Sequence, residues 1–154
     1  MARVNNNGVE IHYEVEGSGP PVLLMHGMGG SIHNWIDAGY VEALKGELQL
    51  VLVDSRGFGE SSKPQDPTDY TREAKVSDVV AVLDDLGIEQ AHYWGYSMGA
   101  SNGWAIGMLR PDRVLSLVLG AYPALPSPVS DRNRVKWESR AKLMALGMDV
   151  YITA

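Results

Sequence analysis

The sequence contains no cysteine in 154 residues. That excludes disulfides, a thiolate nucleophile and zinc–thiolate sites. No apolar run approaches the length of a membrane span. The opening residues, Met-Ala-Arg-Val-Asn-Asn-Asn-Gly, lack the apolar stretch of a secretory signal, so a cytoplasmic protein is expected. Positive charge is not in excess. The net charge is −6, which argues against a nucleic-acid partner. Repeats and low-complexity tracts are missing, and no side-chain cluster has metal-ligand spacing, so neither a metal nor a cofactor is implied. What is present is an ordinary globular composition, 45% hydrophobic and 21% charged, at a length that suits one domain with its own core.

One stretch organises the rest: Tyr93-Trp94-Gly95-Tyr96-Ser97-Met98-Gly99-Ala100. It reads as a strand that stops abruptly, a serine at a corner, and a helix that starts at once. Gly95 and Gly99 flank Ser97 at i−2 and i+2, the Gly-x-Ser-x-Gly pattern of a nucleophile elbow. Side chains at those flanks would collide with the turning strand or the incoming helix. Such a corner strains the serine backbone and lifts its hydroxyl above the sheet. The helix behind it aims free N–H groups at the same spot, where they stabilise negative charge. A glycine-rich turn without chemistry is the bland alternative.

The flanking chain supplies a frame for this corner. Val9 to Val15 alternates apolar and polar residues, as in a half-exposed strand near a sheet edge, with His12 on its polar, solvated face and Arg3 to Asn5 as a pairing partner. Pro21 to Met25 is continuously apolar, as in a strand buried on both faces. It runs into His26-Gly27-Met28-Gly29-Gly30-Ser31, a loop able to approach a ligand closely and to present the Met28 N–H as an oxyanion donor. The Lys-Ser/Thr ending of a phosphate loop is missing. Residues 34–48 read as one helix with Trp35, Tyr40, Val41 and Leu44 buried. Residues 48–53 read as a second buried strand, followed by the polar loop Asp54-Ser55-Arg56-Gly57-Phe58-Gly59-Glu60-Ser61. Asp54 and Arg56 are expected to be structural, pairing with each other or with backbone. A helix over 71–86 carries Val76, Val79, Val80, Leu83 and Leu86 at helical spacing, with Gly87 as its C-cap and Asp78, Asp84 and Asp85 as solvated charges. After the elbow helix, Pro111 forces a stop and Val114 to Leu119 forms another strand. The β-α-β-α-β alternation predicts an α/β fold, a mostly parallel sheet with helices on both faces and ligands beyond the carboxyl ends of the strands. Two segments are expected: a core over 1–122, and a proline-rich linker with a helical, lid-like segment over 123–154.

Three motifs, His26-Gly27-Met28-Gly29-Gly30, Asp54 to Ser61, and Gly95-Tyr96-Ser97-Met98-Gly99, occur in the order and near the spacings of the α/β-hydrolase superfamily. The chain resembles the N-terminal portion of that fold over about residues 8–122, lacking its C-terminal strands. The branch it most resembles is the single-domain serine esterases, enol-lactonases, cofactor-free haloperoxidases and epoxide-hydrolase relatives. The resemblance implies Ser97 as nucleophile and the N–H groups of Met28 and Met98 as the oxyanion hole. A serine at 97, where epoxide hydrolases and dehalogenases carry aspartate, implies a small-molecule ester or lactone as substrate.

The family orders its triad serine, acid, histidine. Here His12, His26, His33 and His92 all precede Ser97 and none follows it. A serine hydroxyl needs a base to take its proton. His92 lies ~16 Å along the strand from Ser97 at about 3.3 Å per residue, which leaves His26 or His33 as substitute base. Three readings therefore stand: a serine hydrolase with an unusual base, a binding or scaffold protein on a hydrolase frame, and a truncated hydrolase needing a complementary C-terminal part. The 114–119 strand would present an apolar edge, and a homodimer through that edge or through the C-terminal segment is expected.

Overall fold

The computed structural model describes residues 2–122. The helical segment expected over 123–154 lies outside these residues.

Six strands form one sheet in the order β1-β2-β4-β3-β5-β6. They are β1 (Ala2–Asn6), β2 (Val9–Glu16), β3 (Pro21–Met25), β4 (Gln49–Val53), β5 (Ala91–Tyr96) and β6 (Val114–Gly120). The first two join as an antiparallel hairpin, and β2 runs antiparallel to β4. From β4 through β3 and β5 to β6 all neighbours are parallel. The helices are α1 (His33–Asp37), α2 (Tyr40–Leu44), α3 (Arg72–Asp85) and α4 (Met98–Leu109).

The buried strands alternate their side chains between two cores, as a pleat with period two requires. Leu23, Met25, Val51 and Val53 join Val79, Leu83 and Ile106 of α3 and α4 on one face. Val22, Leu24, Leu50 and Leu52 meet Ile32, Trp35 and Val41 on the other. The continuous apolar runs of β3 and β4 thus serve both faces at once. The connection after β3 leads to β4 on one side of it, while β5 lies on its other side. The chain therefore reverses direction across the sheet between β3 and β5, and a crevice opens beyond their carboxyl ends. The loop at 26–30 and the Ser97 corner both lie there.

Several expectations are corrected. The single helix over 34–48 is two short helices, because Gly39 between them adopts φ +81°, a left-handed conformation that ends the first. His12 is not solvated. It is 1% exposed, because the loop after β4 folds over its face of β2 and the Ser61 hydroxyl accepts its backbone N–H. Its Nδ1 meets the Asp54 carboxylate at 2.8 Å. Asp78 is likewise buried, and it takes the guanidinium of Arg56 through two hydrogen bonds of 2.6 Å. Arg56 and Asp54 thus do not pair with each other; both take the other expected form and bond backbone, Arg56 donating to the Asp69 and Ala74 carbonyls. Asp54 accepts the backbone N–H groups of Ile32 and Glu60, each at 2.9 Å, and so ties the loop after β3 to the loop after β4.

Candidate active site

The corner at Ser97 forms because two glycines admit backbone where any side chain would clash. A Cβ on Gly95 would lie under 3.0 Å from the Gly99 carbonyl and 2.6 Å from the Ala100 nitrogen. A Cβ on Gly99 would strike the carbonyl oxygens of Met25 and His26, the latter at 2.8 Å. The second collision is with the neighbouring strand β3 rather than with the elbow's own strand. The same helix face continues through Gly103, over the Tyr93 ring, and Gly107, over Leu117. Each lets α4 settle onto the sheet.

Ser97 itself takes φ 53°, ψ −107°, a region non-glycine residues rarely occupy. Such strain costs on the order of 1–3 kcal/mol and persists only where neighbours enforce it. Here they do. The Ser97 N–H donates to the Gly120 carbonyl at the end of β6 (2.8 Å), and the Ser97 carbonyl accepts from Ser101 N–H (3.0 Å). The Tyr93 hydroxyl donates to the Gly99 carbonyl (2.8 Å) from a fully buried position, and burial pushes its pKa far above that of free tyrosine. The Ser97 side chain is exposed. Gly27 approaches it closely, since a Cβ there would stand 3.6 Å from the Ser97 Cβ. Met98 opens α4, so the first amides of that helix have no acceptor within the helix.

Beside the corner lies a cleft of about 400 Å³, lined by His26 to Gly30, Asn34, Trp35, Tyr40, Trp94 and Tyr96. Met28 lines it and is partly exposed. Among the described residues, no Asp, Glu, Lys or Arg side chain lines it. Trp94 is the residue that sequence reasoning missed. As a strand residue three before the serine, on the face opposite Tyr93, it was the available signal.

The four histidines divide sharply. His26 is 1% exposed and fully engaged: Nδ1 donates to the Gly27 carbonyl (2.7 Å), and Nε2 accepts the Ser55 N–H (3.1 Å). Desolvation on burial lowers its pKa, against the opposing pull of the Gly27 carbonyl and Asp54. With both ring nitrogens used, His26 has no free lone pair for a serine proton, which removes it as a substitute base. His12 is held by Asp54, and His92 meets the Ser116 hydroxyl at 2.8 Å. His33 begins α1, is exposed, and does not line the cleft. Among the described residues no group of three His, Cys, Asp or Glu could hold a metal ion, and no helix is long and apolar enough to cross a membrane.

Comparison with known proteins agrees with this geometry. A family model described as the alpha/beta hydrolase fold matches residues 20–145. Epoxide hydrolase 3 of Siraitia grosvenorii is 36% identical over 129 residues, which cover 80% of this chain and 40% of that protein. Among solved structures, the enol-lactonase of Burkholderia xenovorans LB400 is 32% identical with a TM-score of 0.71, covering 77% of this chain and 45% of that one. An epoxide hydrolase of Vigna radiata is 29% identical with a TM-score of 0.77, covering 90% and 44%. The chain thus spans less than half the length of each of these relatives. With the sheet order, the glycine-walled corner and the matched family model in agreement, this chain belongs to the α/β-hydrolase superfamily.

Proposed function

We propose that this chain carries the nucleophile and oxyanion hole of a serine hydrolase acting on small esters or lactones. The observation that carries this reading is the exposed Ser97, at positive φ between two sterically obligatory glycines, beside an uncharged cleft. In the proposed reaction the Ser97 Oγ attacks the acyl carbon and its proton passes to a base. The carbonyl oxygen takes the displaced electron pair and is stabilised by the N–H groups of Met28 and Met98. Collapse expels the alcohol, which takes up the proton, and water then hydrolyses the acyl-serine. The chemistry of the nucleophile favours acyl transfer over the reaction named for the epoxide hydrolases. A serine opening an epoxide would leave an ether, which water does not cleave, whereas an acyl-serine is an ester, which it does. The likeness to an enol-lactonase supports the same choice.

His33 is the one histidine with no ring hydrogen-bond partner among the described residues, and it is the substitute base we propose for the chain alone. The engagement of the other three favours a second reading, in which full turnover needs a base from further hydrolase sequence. Without any base, oxyanion hole and binding alone leave roughly 10³–10⁴-fold catalysis over water in serine hydrolases dissected this way.

Hydrolysis of p-nitrophenyl acetate by the purified chain, beside Ser97→Ala and His33→Ala, tests the proposal. Loss in the serine variant supports the nucleophile, and full retention would falsify it. Loss in the histidine variant identifies the base. Stimulation by an added C-terminal hydrolase fragment supports the second reading. We also propose a homodimer joined through β6, whose outer edge has no partner among the described strands and whose Leu115 and Val118 are 51% and 50% exposed.

A further inference from the structure

Three aromatic side chains from three separate elements wall the cleft: Trp35 of α1, Tyr40 of α2 and Trp94 of β5. Each touches the other two edge to face. The ring centroids are 5.5 Å apart for Trp35–Tyr40, 5.3 Å for Trp35–Trp94 and 5.2 Å for Tyr40–Trp94. This arrangement sets the positive edge of one ring against the negative face of another, so the three hold one another in a fixed wall. Trp35 is buried, Trp94 half-buried and Tyr40 42% exposed, so the wall grades from the core out to the mouth.

The lining is completed by His26, the glycine-rich loop at 27–30, Asn34 and Tyr96. Among the described residues, no carboxylate, ammonium or guanidinium lines the cleft. A charged group entering would lose hydration with no counter-charge to replace it. A flat apolar ring would lose little and would gain a further edge-to-face or offset contact with each wall residue. The volume lies within the range of about 300–1,000 Å³ usual for small-molecule sites. Cations are also drawn to ring faces. A cation would still lose its hydration here with no carboxylate among the described lining residues to replace it, and the cationic amide below tests that alternative.

We propose that this cleft is the acyl-binding pocket and that it selects an uncharged, ring-bearing acyl group, packed on Trp35, Tyr40 and Trp94. The word acyl rests on Ser97 being the nucleophile. The preference for an uncharged ring rests on the cleft alone, and the test keeps the two apart.

Binding is measured in the full chain carrying Ser97→Ala, by tryptophan fluorescence, since two of the wall residues are reporters. The probes are four amides that a hydrolase turns over poorly: 2-phenylacetamide, hexanamide of similar apolar size, anionic succinamate, and the cationic trimethylammonio-acetamide. The expected result is 2-phenylacetamide binding about tenfold more tightly than hexanamide and more tightly still than either ion. Tyr40→Leu, which keeps apolar volume at a partly exposed site, should lower that affinity severalfold and leave hexanamide unchanged. Trp94→Leu should do more, with circular dichroism confirming that it folds. Equal affinity for the four amides, tighter binding of either ion, or ring binding that survives both wall variants would overturn the proposal. A chain that binds the ring amide as expected, but whose ester hydrolysis is unchanged by Ser97→Ala, would retain the pocket and lose the nucleophile assignment. The converse result would do the reverse.

Discussion

Gly95→Ala adds one methyl group, and the structure predicts that it is among the most costly single methyls in the chain. The new Cβ would sit under 3.0 Å from the Gly99 carbonyl carbon and oxygen and 2.6 Å from the Ala100 nitrogen. All three are backbone atoms of the first turn of α4, so no side chain can rotate away. Ordinary overpacking costs about 1–3 kcal/mol because neighbours shift. Here the neighbour is a helix start already fixed by the Tyr93 hydroxyl and seated on β3 by Gly99. A cost at or above the top of that range, about 3 kcal/mol, is expected. That is a large share of the 5–15 kcal/mol typical of a domain. Gly46→Ala serves as the control, since a Cβ there meets nothing within 4 Å and its φ is not positive. It should be neutral, or stabilising by about 0.4–1 kcal/mol through a less flexible unfolded chain. Urea denaturation followed by tryptophan fluorescence measures both. If Gly95→Ala falls within 0.5 kcal/mol of its parent, the elbow is not sterically closed and the reasoning fails.

Ser97→Gly removes the strain of a non-glycine residue at φ 53° and should raise stability by about 1–3 kcal/mol while abolishing esterase activity, which paired denaturation and p-nitrophenyl acetate assays would check. Asp78→Ala leaves the buried Arg56 guanidinium without its carboxylate and strips Asn6 of its 2.8 Å acceptor, so a loss of about 3–5 kcal/mol is expected from urea melts. His26 has its pKa lowered by burial, so the unfolded chain binds a proton more readily than the folded one. Its contribution is therefore complete above the ordinary value of 6.5 and is lost as pH falls below it, at up to about 1.4 kcal/mol per pH unit. His26→Gln should flatten that part of the profile, and an unchanged slope would contradict the assignment. Sedimentation equilibrium at micromolar concentration should give a dimer, reduced to monomer by Leu115→Lys with Val118→Lys. A monomeric parent chain would refute the edge-pairing proposal.

The parallel frame was legible because its signals are local. Continuous apolar runs marked β3 and β4, helical spacing of valines marked α3, and two glycines around a serine marked the corner. What escaped was set by residues distant in sequence. His12 reads as a surface position when β2 is taken alone, and only the loop that returns 49 residues later to Ser61 covers it. Asp78 sits among helix charges, yet its partner Arg56 comes from a loop 22 residues earlier. The break at Gly39 could not be read as a left-handed turn, since a glycine tolerates either sign of φ. At the site, the corner and its glycines could be read from spacing. The aromatic wall could not, because Trp35, Tyr40 and Trp94 meet only once the sheet places β5 beside β3.

The most direct measurement is mass-spectrometric mapping of the full chain after treatment with diethyl p-nitrophenyl phosphate, which leaves a diethylphosphoryl group on an activated serine. A single adduct on the peptide containing Ser97, absent from Ser97→Ala, is the predicted result. Labelling spread over surface tyrosines and lysines, with the Ser97 peptide unmodified, would contradict it.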